Sequence, residues 1–351
     1  MVASIHIALA LALSCLLAPR FVLGQEESLP RLSAAGDQTT VSGVSSGGYM
    51  AVQFQVAYSR AVRGAGVLAA GPYYCAQGNA WRARYACMNP SWLWSLPDVH
   101  TLQSVTRSMA ALGLIDAPEH LREDRVWLFS GRADETVTRE VVEGLRAWYL
   151  GFIPATQVTL VDRIEAGHAM VTADYGATCR KTDAPFLNDC DFDAAGALLA
   201  HLYGKLAPPS ASPAGALSRF DQREFAASPF AISMADWGYV YVPQACREGG
   251  CRVHVAFHGC RQGAQSVGEA FVAHAGYNRW ADTNRLIVLY PQAIARSGWG
   301  PWPWPTSFIY NPNGCWDWWG YSGADYHTRR GGQISAVMRM LEQLQTRSGT
   351  H

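Results

Sequence analysis

Ser45 stands between two glycines in Gly43-Val44-Ser45-Ser46-Gly47, a spacing that can make a hydroxyl reactive. A serine attacks a carbonyl only when a neighbouring base takes its proton and the backbone holds the hydroxyl clear of the fold. The β-branched stretch Thr39 to Val41 reads as a short strand entering this segment. Tyr49 to Tyr58, with few breakers, reads as a helix leaving it. The junction is then a sharp bend, and Gly43 and Gly47 lack the Cβ atoms that would collide there. Such a bend exposes the Ser45 hydroxyl and aims the Ser46 amide at the same point. A Gly/Ser-rich helix start without chemistry also fits, because the chain holds 33 glycines and small residues cluster by chance.

The partners that would activate Ser45 lie downstream. Val126 to Ser130 is a continuous apolar run, as in a parallel strand covered on both faces. It ends in Gly131-Arg132-Ala133-Asp134, which places Asp134 beyond a strand's carboxyl end, where open α/β sheets build their sites. Gln157 to Val161 reads as a further strand, and its exit loop carries Glu165-Ala166-Gly167-His168. Gly167 suits an exposed, mobile imidazole. Serine, aspartate and histidine thus follow separate strands in the chain order of α/β-hydrolases. In that chemistry the histidine takes the serine proton and the carboxylate fixes the imidazole tautomer. Asp134 also fits a helix N-cap for a segment starting near Thr136, and His168 fits an ordinary surface histidine. Asp124, Asp162 and His201 are rivals. Asp162 lies too near His168 in sequence to come from another strand. His201 shares a helical face with Leu198 and Leu202, which points to packing.

The remaining elements must bring these residues together. Gly66 to Ala70 reads as a strand, Cys75 to Pro97 as a Trp- and Tyr-containing surface insertion, and Val99 to Leu114 and Arg139 to Leu150 as helices. Phe192 to Leu206 is an Ala/Leu-rich helix, followed by a Pro/Ser linker at Ala207 to Gly215. Beyond it, Trp237 to Pro243 and Val253 to Phe257 read as strands, Ala270 to Thr283 as a helix, Leu286 to Pro291 as a strand and Gln333 to Leu344 as a helix. This β-β-α-β order normally precedes a nucleophile elbow, and its His258-Gly259-Cys260 turn normally supplies an oxyanion amide. Here it follows. The economical expectation is an α/β-hydrolase fold with a mostly parallel sheet, circularly permuted, in which residues 25–351 form one domain and the linker joins the old termini.

Balanced charge, with Lys+Arg and Asp+Glu at 28 each, offers no attraction to nucleic acid or an anionic membrane. Met1 to Gly24 reads as a cleaved secretory signal, with an apolar run from Ile5 to Leu17 that is short for a membrane span. An uncleaved anchor is the second reading, and Cys15 lacks a good lipobox. Eight cysteines then remain, and their spacing suggests Cys75 with Cys87, Cys179 with Cys190, Cys246 with Cys251, and by remainder Cys260 with Cys315. Eight cysteines allow 105 pairings, so the spacing does not prove these four. Metal binding is disfavoured because no paired histidines accompany the cysteines, and no cofactor is called for. Trp299, Trp302, Trp304, Trp316, Trp318 and Trp319 crowd a late stretch broken by Pro301, Pro303 and Pro305. Rigid exposed rings there suit adsorption to a hydrophobic solid or stacking on sugars; Trp316 and Trp319 equally suit the edge of a core.

Three stretches carry a resemblance: Val41-Ser42-Gly43-Val44-Ser45-Ser46-Gly47-Gly48-Tyr49-Met50, Phe257-His258-Gly259-Cys260, and Asn313-Gly314-Cys315-Trp316-Asp317-Trp318-Trp319-Gly320. They resemble the catalytic domain of extracellular poly(3-hydroxybutyrate) depolymerases, in the order of the permuted single-domain type. The resemblance implies Ser45, Asp134 and His168 as a triad and the amides of Ser46 and Cys260 as an oxyanion hole. It implies Asn313 and Trp318 as substrate contacts and Cys260–Cys315 as a bridge. The implied protein is a secreted serine esterase acting on a polyester or its oligomers. Other secreted serine esterases, of feruloyl or acetylxylan type, share the machinery, and a non-catalytic binding protein on the same scaffold is a further alternative. The Cys75–Cys87 insertion and the Gly298 to Thr306 stretch have no place in the family pattern.

Overall fold

The computed structural model describes residues 28–299 and 308–347. The expected leader at Met1 to Gly24, and Trp302 and Trp304, lie outside them. The first half opens with β1 (Thr39–Val44), α1 (Ser46–Ala57) and β2 (Val62–Leu68). Next come α2 (Ala80–Ala86) and α3 (Val99–Ala111), then β3 (Arg125–Phe129), α4 (Arg139–Tyr149) and β4 (Val158–Val161). Three short strands follow, β5 (Met170–Thr172), β6 (Ala177–Thr178) and β7 (Leu187–Asp189), and then α5 (Ala194–Tyr203). The second half runs β8 (Ala216–Asp221), β9 (Trp237–Val242), β10 (Arg252–Phe257), α6 (Ala264–Val267), α7 (Ala270–His274) and α8 (Tyr277–Thr283). It closes with β11 (Leu286–Tyr290), β12 (Arg296–Trp299), β13 (Phe308–Asn311) and α9 (Gly332–Gln345).

Among the described residues, eight strands from both halves form one sheet in the order β4-β3-β2-β1-β10-β11-β9-β8. The strands from β4 to β11 in this order run parallel; β9 is antiparallel to β11, and β8 to β9. The expected α/β class with a mostly parallel sheet is therefore what the chain builds. β1 and β10 are the seam, with Gly43 level with Phe257. Alternating side chains feed two cores. Val41, Val67 and Leu128 pack on one face with Phe54 of α1, Leu145 of α4 and Leu341 of α9. Val44, Leu68, Phe129 and Val288 pack on the other with Leu198 of α5, Phe271 of α7 and Ala281 of α8. Every residue of α1 is buried, which explains its lack of a polar face.

Some boundaries differ from expectation for physical reasons. The elbow helix begins at Ser46 rather than Tyr49, because Gly47 and Gly48 fit a crowded first turn. The helix expected over Ala270 to Thr283 is two, broken where Gly276 takes a φ of 95°. The Cys75 to Pro97 insertion contains α2, N-capped by Asn79 through its side chain on the Arg82 amide. The linker at 207–215 is tied down on α8: Asn284 bonds both the amide and the carbonyl of Ala207, and Asp282 accepts from Gly215. The four expected cysteine pairs are bonded: Cys75–Cys87, Cys179–Cys190, Cys246–Cys251 and Cys260–Cys315.

Candidate active site

Ser45 occupies the bend between β1 and α1 with φ 57° and ψ −123°, a conformation costly for any residue but glycine. A Cβ on Gly43 would overlap the Gly47 carbonyl, and a Cβ on Gly47 would overlap the carbonyls of Phe257 and His258. Both glycines are therefore required by close backbone approach. Serine is a favoured helix N-cap, yet Ser45 makes no side-chain capping bond. Ser45 instead lines a cavity of about 590 Å³.

Ser45, His168, Cys260, Asn313 and Trp318 line that one cavity. Asp134 stands behind His168, its Oδ2 2.8 Å from His168 Nδ1. Its Oδ1 accepts from the amides of Thr136 and Val137, each at 2.9 Å. The carboxylate holds a turn with one oxygen and an imidazole with the other; the helix N-cap reading is corrected, because α4 starts at Arg139 with Thr138 as its N-cap. The expected exposed, mobile imidazole is corrected: the His168 side chain is only 10% exposed. Its amide donates to Thr182 Oγ1 at 2.9 Å, and a Cβ on Gly167 would meet the Arg180 and Lys181 carbonyls. Gly167 serves packing rather than mobility.

The rivals lie elsewhere. Asp162 pairs with Arg139 at 2.6 Å. His201 Nε2 meets the Gln157 carbonyl at 3.0 Å, and burial pushes its pKa down. Asp124 precedes β3, at the end of the strand opposite to Asp134; burial pushes its carboxyl up to about 8, and Gln55 donates to Oδ2 at 2.8 Å.

The second half meets Ser45 at the seam. A Cβ on Gly259 would lie 3.5 Å from Ser45 Cβ, so the turn after β10 abuts the bend. Among the described residues no acceptor takes the amide of Ser46 or of Cys260. His258, fully buried in this turn, is a residue sequence reasoning left without a role. Its Nε2 accepts from the Ala293 amide at 3.0 Å, so Nδ1 must carry the proton. Nδ1–H then donates to the Gly259 carbonyl at 2.7 Å. That carbonyl and the Cys260 N–H belong to one planar trans peptide, so fixing the first aims the second the opposite way. Burial holds the imidazole pKa down at about 4. Gln262, 1% exposed, accepts from the Gly259 amide at 2.7 Å and donates to the Phe186 carbonyl at 2.6 Å.

The late tryptophan stretch divides. Trp316 is wholly buried against Phe257 and His258 and belongs to the core. Trp318 stacks on Tyr49 with centroids 3.9 Å apart and planes at 6°, and lines the cavity, as does Trp319. The loop owes its shape to Asp317, another residue whose part was not foreseen. Its carboxylate accepts from the amides of Trp319, Gly320, Tyr321 and Ser322 and from Ser322 Oγ. Burial raises its pKa and those donors draw it back. Asn313 is exposed at the rim, its carbonyl accepting from the Arg261 amide at 2.6 Å. Among the described residues no group of three His, Cys, Asp or Glu side chains could hold a metal.

No family model matches the chain. It is 44% identical over 329 residues to a poly(3-hydroxybutyrate) depolymerase of Delftia acidovorans, covering 92% of this chain but 62% of that relative. It is 36% identical over 331 residues to a polyhydroxybutyrate depolymerase of Talaromyces funiculosus, covering 90% of this chain and 92% of the relative. Among solved structures it is similar to a PHB depolymerase from Penicillium funiculosum and to a serine-to-alanine variant of a PHB depolymerase complexed with R3HB trimer. Each match has a TM-score of 0.80 and 33% identity, and covers 91% of this chain and 100% of the other.

Proposed function

Because the chain belongs to the poly(3-hydroxybutyrate) depolymerase family, we propose that it is a serine esterase hydrolysing the ester bonds of poly(3-hydroxybutyrate) or its short oligomers. One observation carries the reading: Ser45, its hydroxyl unspent on the helix, shares a cavity with a histidine oriented by a buried carboxylate. His168 takes the Ser45 proton as Oγ attacks the ester carbonyl. The tetrahedral oxyanion lies between the Ser46 and Cys260 amides, each such donor worth roughly 2.7–4 kcal/mol. The same imidazole, held by Asp134, hands the proton to the departing alcohol oxygen. Water then attacks the acyl-enzyme by the same steps, releasing a carboxylic acid and restoring Ser45. Trp318 and Asn313 contact the substrate from the disulfide-tied loop.

We read the protein as secreted, since the four disulfides suit an oxidising compartment. Both halves form one permuted domain, consistent with a site assembled from β1 and β10. Trp81, Trp92 and Trp94 on the insertion and Trp299, Phe308 and Tyr310 on the β12–β13 hairpin are exposed, and Phe308 and Tyr310 also line the cavity. Such a mouth suits a hydrophobic polyester surface. The decisive experiment measures 3-hydroxybutyrate release from polyester film and oligomers by the wild type and Ser45→Ala. The variant is expected to lose hydrolysis and labelling by a fluorophosphonate; turnover near the wild-type rate would remove Ser45 from its role.

A further inference from the structure

The cavity lining carries an unused charge. Among the described residues that line it, the charged side chains are Arg84 and Arg261, with no aspartate or glutamate. Neither arginine has a carboxylate partner among the described residues. Each guanidinium lies over an aromatic ring instead: Arg84 over Tyr85 at 5.5 Å, and Arg261 over Phe186 at 5.1 Å. A ring beneath a guanidinium supports its face and leaves the N–H edge to bind an anion. Arg261 is placed firmly. It follows Cys260, adopts a φ of 55°, and its amide is held by the Asn313 carbonyl at 2.6 Å.

An internal segment of a polyester is neutral and gives these cations nothing to pair with. A chain end differs, because every cleavage leaves a free carboxylate. On the esterase reading above, we propose that Arg261 and Arg84 form an anion-recognising rim, which binds the terminal carboxylate of an oligo(hydroxyalkanoate) and directs cleavage close to that end. A guanidinium matches a carboxylate with two parallel N–H bonds. At a rim partly open to water the preference is modest and sensitive to salt.

The test compares initial rates on the (R)-3-hydroxybutyrate trimer as its free acid and as its methyl ester, from low to high salt. The wild type is expected to show a KM for the acid roughly two- to fivefold below that for the methyl ester at low salt, as befits one partly exposed ion pair. The ratio should shrink as salt rises, fall in Arg261→Gln and in Arg84→Gln, and approach one in the double variant. Arg261→Lys, which keeps the charge but not the fork, should retain part of it. Because the readout is a ratio within each variant, reduced folding yield does not mimic the result. Equal KM values for the two forms in the wild type at low salt, or a wild-type ratio in the double variant, would overturn the proposal while leaving the esterase reading intact. Failure of the wild type to cleave either form would overturn both.

Discussion

His258 is where a single atom should decide a rate. Its Nδ1–H fixes the carbonyl of the peptide whose N–H is proposed to face the oxyanion, and its Nε2 is occupied by Ala293. Glutamine can present an acceptor near the Nε2 position but no donor near Nδ1; asparagine does the reverse. In His258→Gln the buried Gly259 carbonyl loses its donor, which costs about 1–3 kcal/mol if nothing moves. Rotation of the peptide relieves that cost by turning the Cys260 amide away from the substrate. Complete loss of an oxyanion donor lowers kcat by roughly 10²–10³; a donor merely freed to rotate should lower it by about 10–100. KM should change little, because the bond strengthens only as charge develops on the oxygen. His258→Asn should stay within a few-fold of wild-type kcat while losing comparable stability at Ala293. Steady-state kinetics on a soluble p-nitrophenyl ester, with thermal unfolding in parallel, separate the two. Equal kcat losses in both variants, or an unchanged kcat in His258→Gln, would refute the reasoning.

Asp134→Asn should lower kcat by about three to four orders of magnitude, by disfavouring the required imidazole tautomer. Its side-chain oxygen can still hold the Thr136 and Val137 amides, so the circular dichroism melt should move little. Asp124 sets a pH dependence of stability. Its folded pKa of about 8 lies above the ordinary 3.8, so between those values the unfolded chain has lost the proton that the folded chain keeps. Stability from this group is therefore fullest below about pH 4 and declines as pH rises through 8. Asp124→Asn should melt above the wild type near pH 8, and the gap should close towards pH 4 in a pH series of melts. The Cys260–Cys315 bond spans 55 residues and Cys246–Cys251 only 5; chain entropy assigns them roughly 4 and 2 kcal/mol. Replacing the first pair by serine should cost more in denaturant midpoint, and it alone should also lower kcat. Residues 25–206 expressed alone should show no cooperative unfolding, since β1 would lose β10; a sharp, active transition would instead mean two domains.

The parts of this molecule legible in sequence are those where few residue types satisfy the geometry. Gly43 and Gly47 announce the bend because any Cβ there collides with backbone. Apolar runs announced β3 and β11, buried on both faces. The order of Ser45, Asp134 and His168 could be read because each follows a strand of one parallel sheet. What escaped has no period. β5, β6 and β7 span two or three residues each, too short to alternate visibly. The β12–β13 hairpin is split by a proline-rich segment that reads as a breaker. Trp316 shows why a proline-rich, aromatic stretch can still feed a core: its ring turns inward against Phe257, and Trp318 joins the same core. Asp317 had a faint signal, a carboxylate followed by Gly320 and Ser322, the composition of a side-chain-stabilised turn. Charge surrounded by tryptophans otherwise argues for exposure, and only the converging amides reverse that.

These failures share a cause that bears on how the site works. Periodicity reports how an element faces its own core, whereas the cavity is made where elements end. Ser45 ends β1, His258 and Gly259 follow β10, Asp134 follows β3, and Asp317 organises a loop tied to β10 by a disulfide. The buried polar groups at these ends hold peptides rather than substrate: His258 the Gly259 carbonyl, Gln262 the Gly259 amide, Asp317 four loop amides. Each bond is individually modest, on the order of 1 kcal/mol net. On the proposed mechanism their effect on rate is larger than that sum, because an amide aimed in advance needs no reorganisation when the oxyanion forms. The seam between β1 and β10 is thus where stability and the proposed chemistry meet: the contacts that pair the two halves also set the distance between Ser45 and the turn that abuts it.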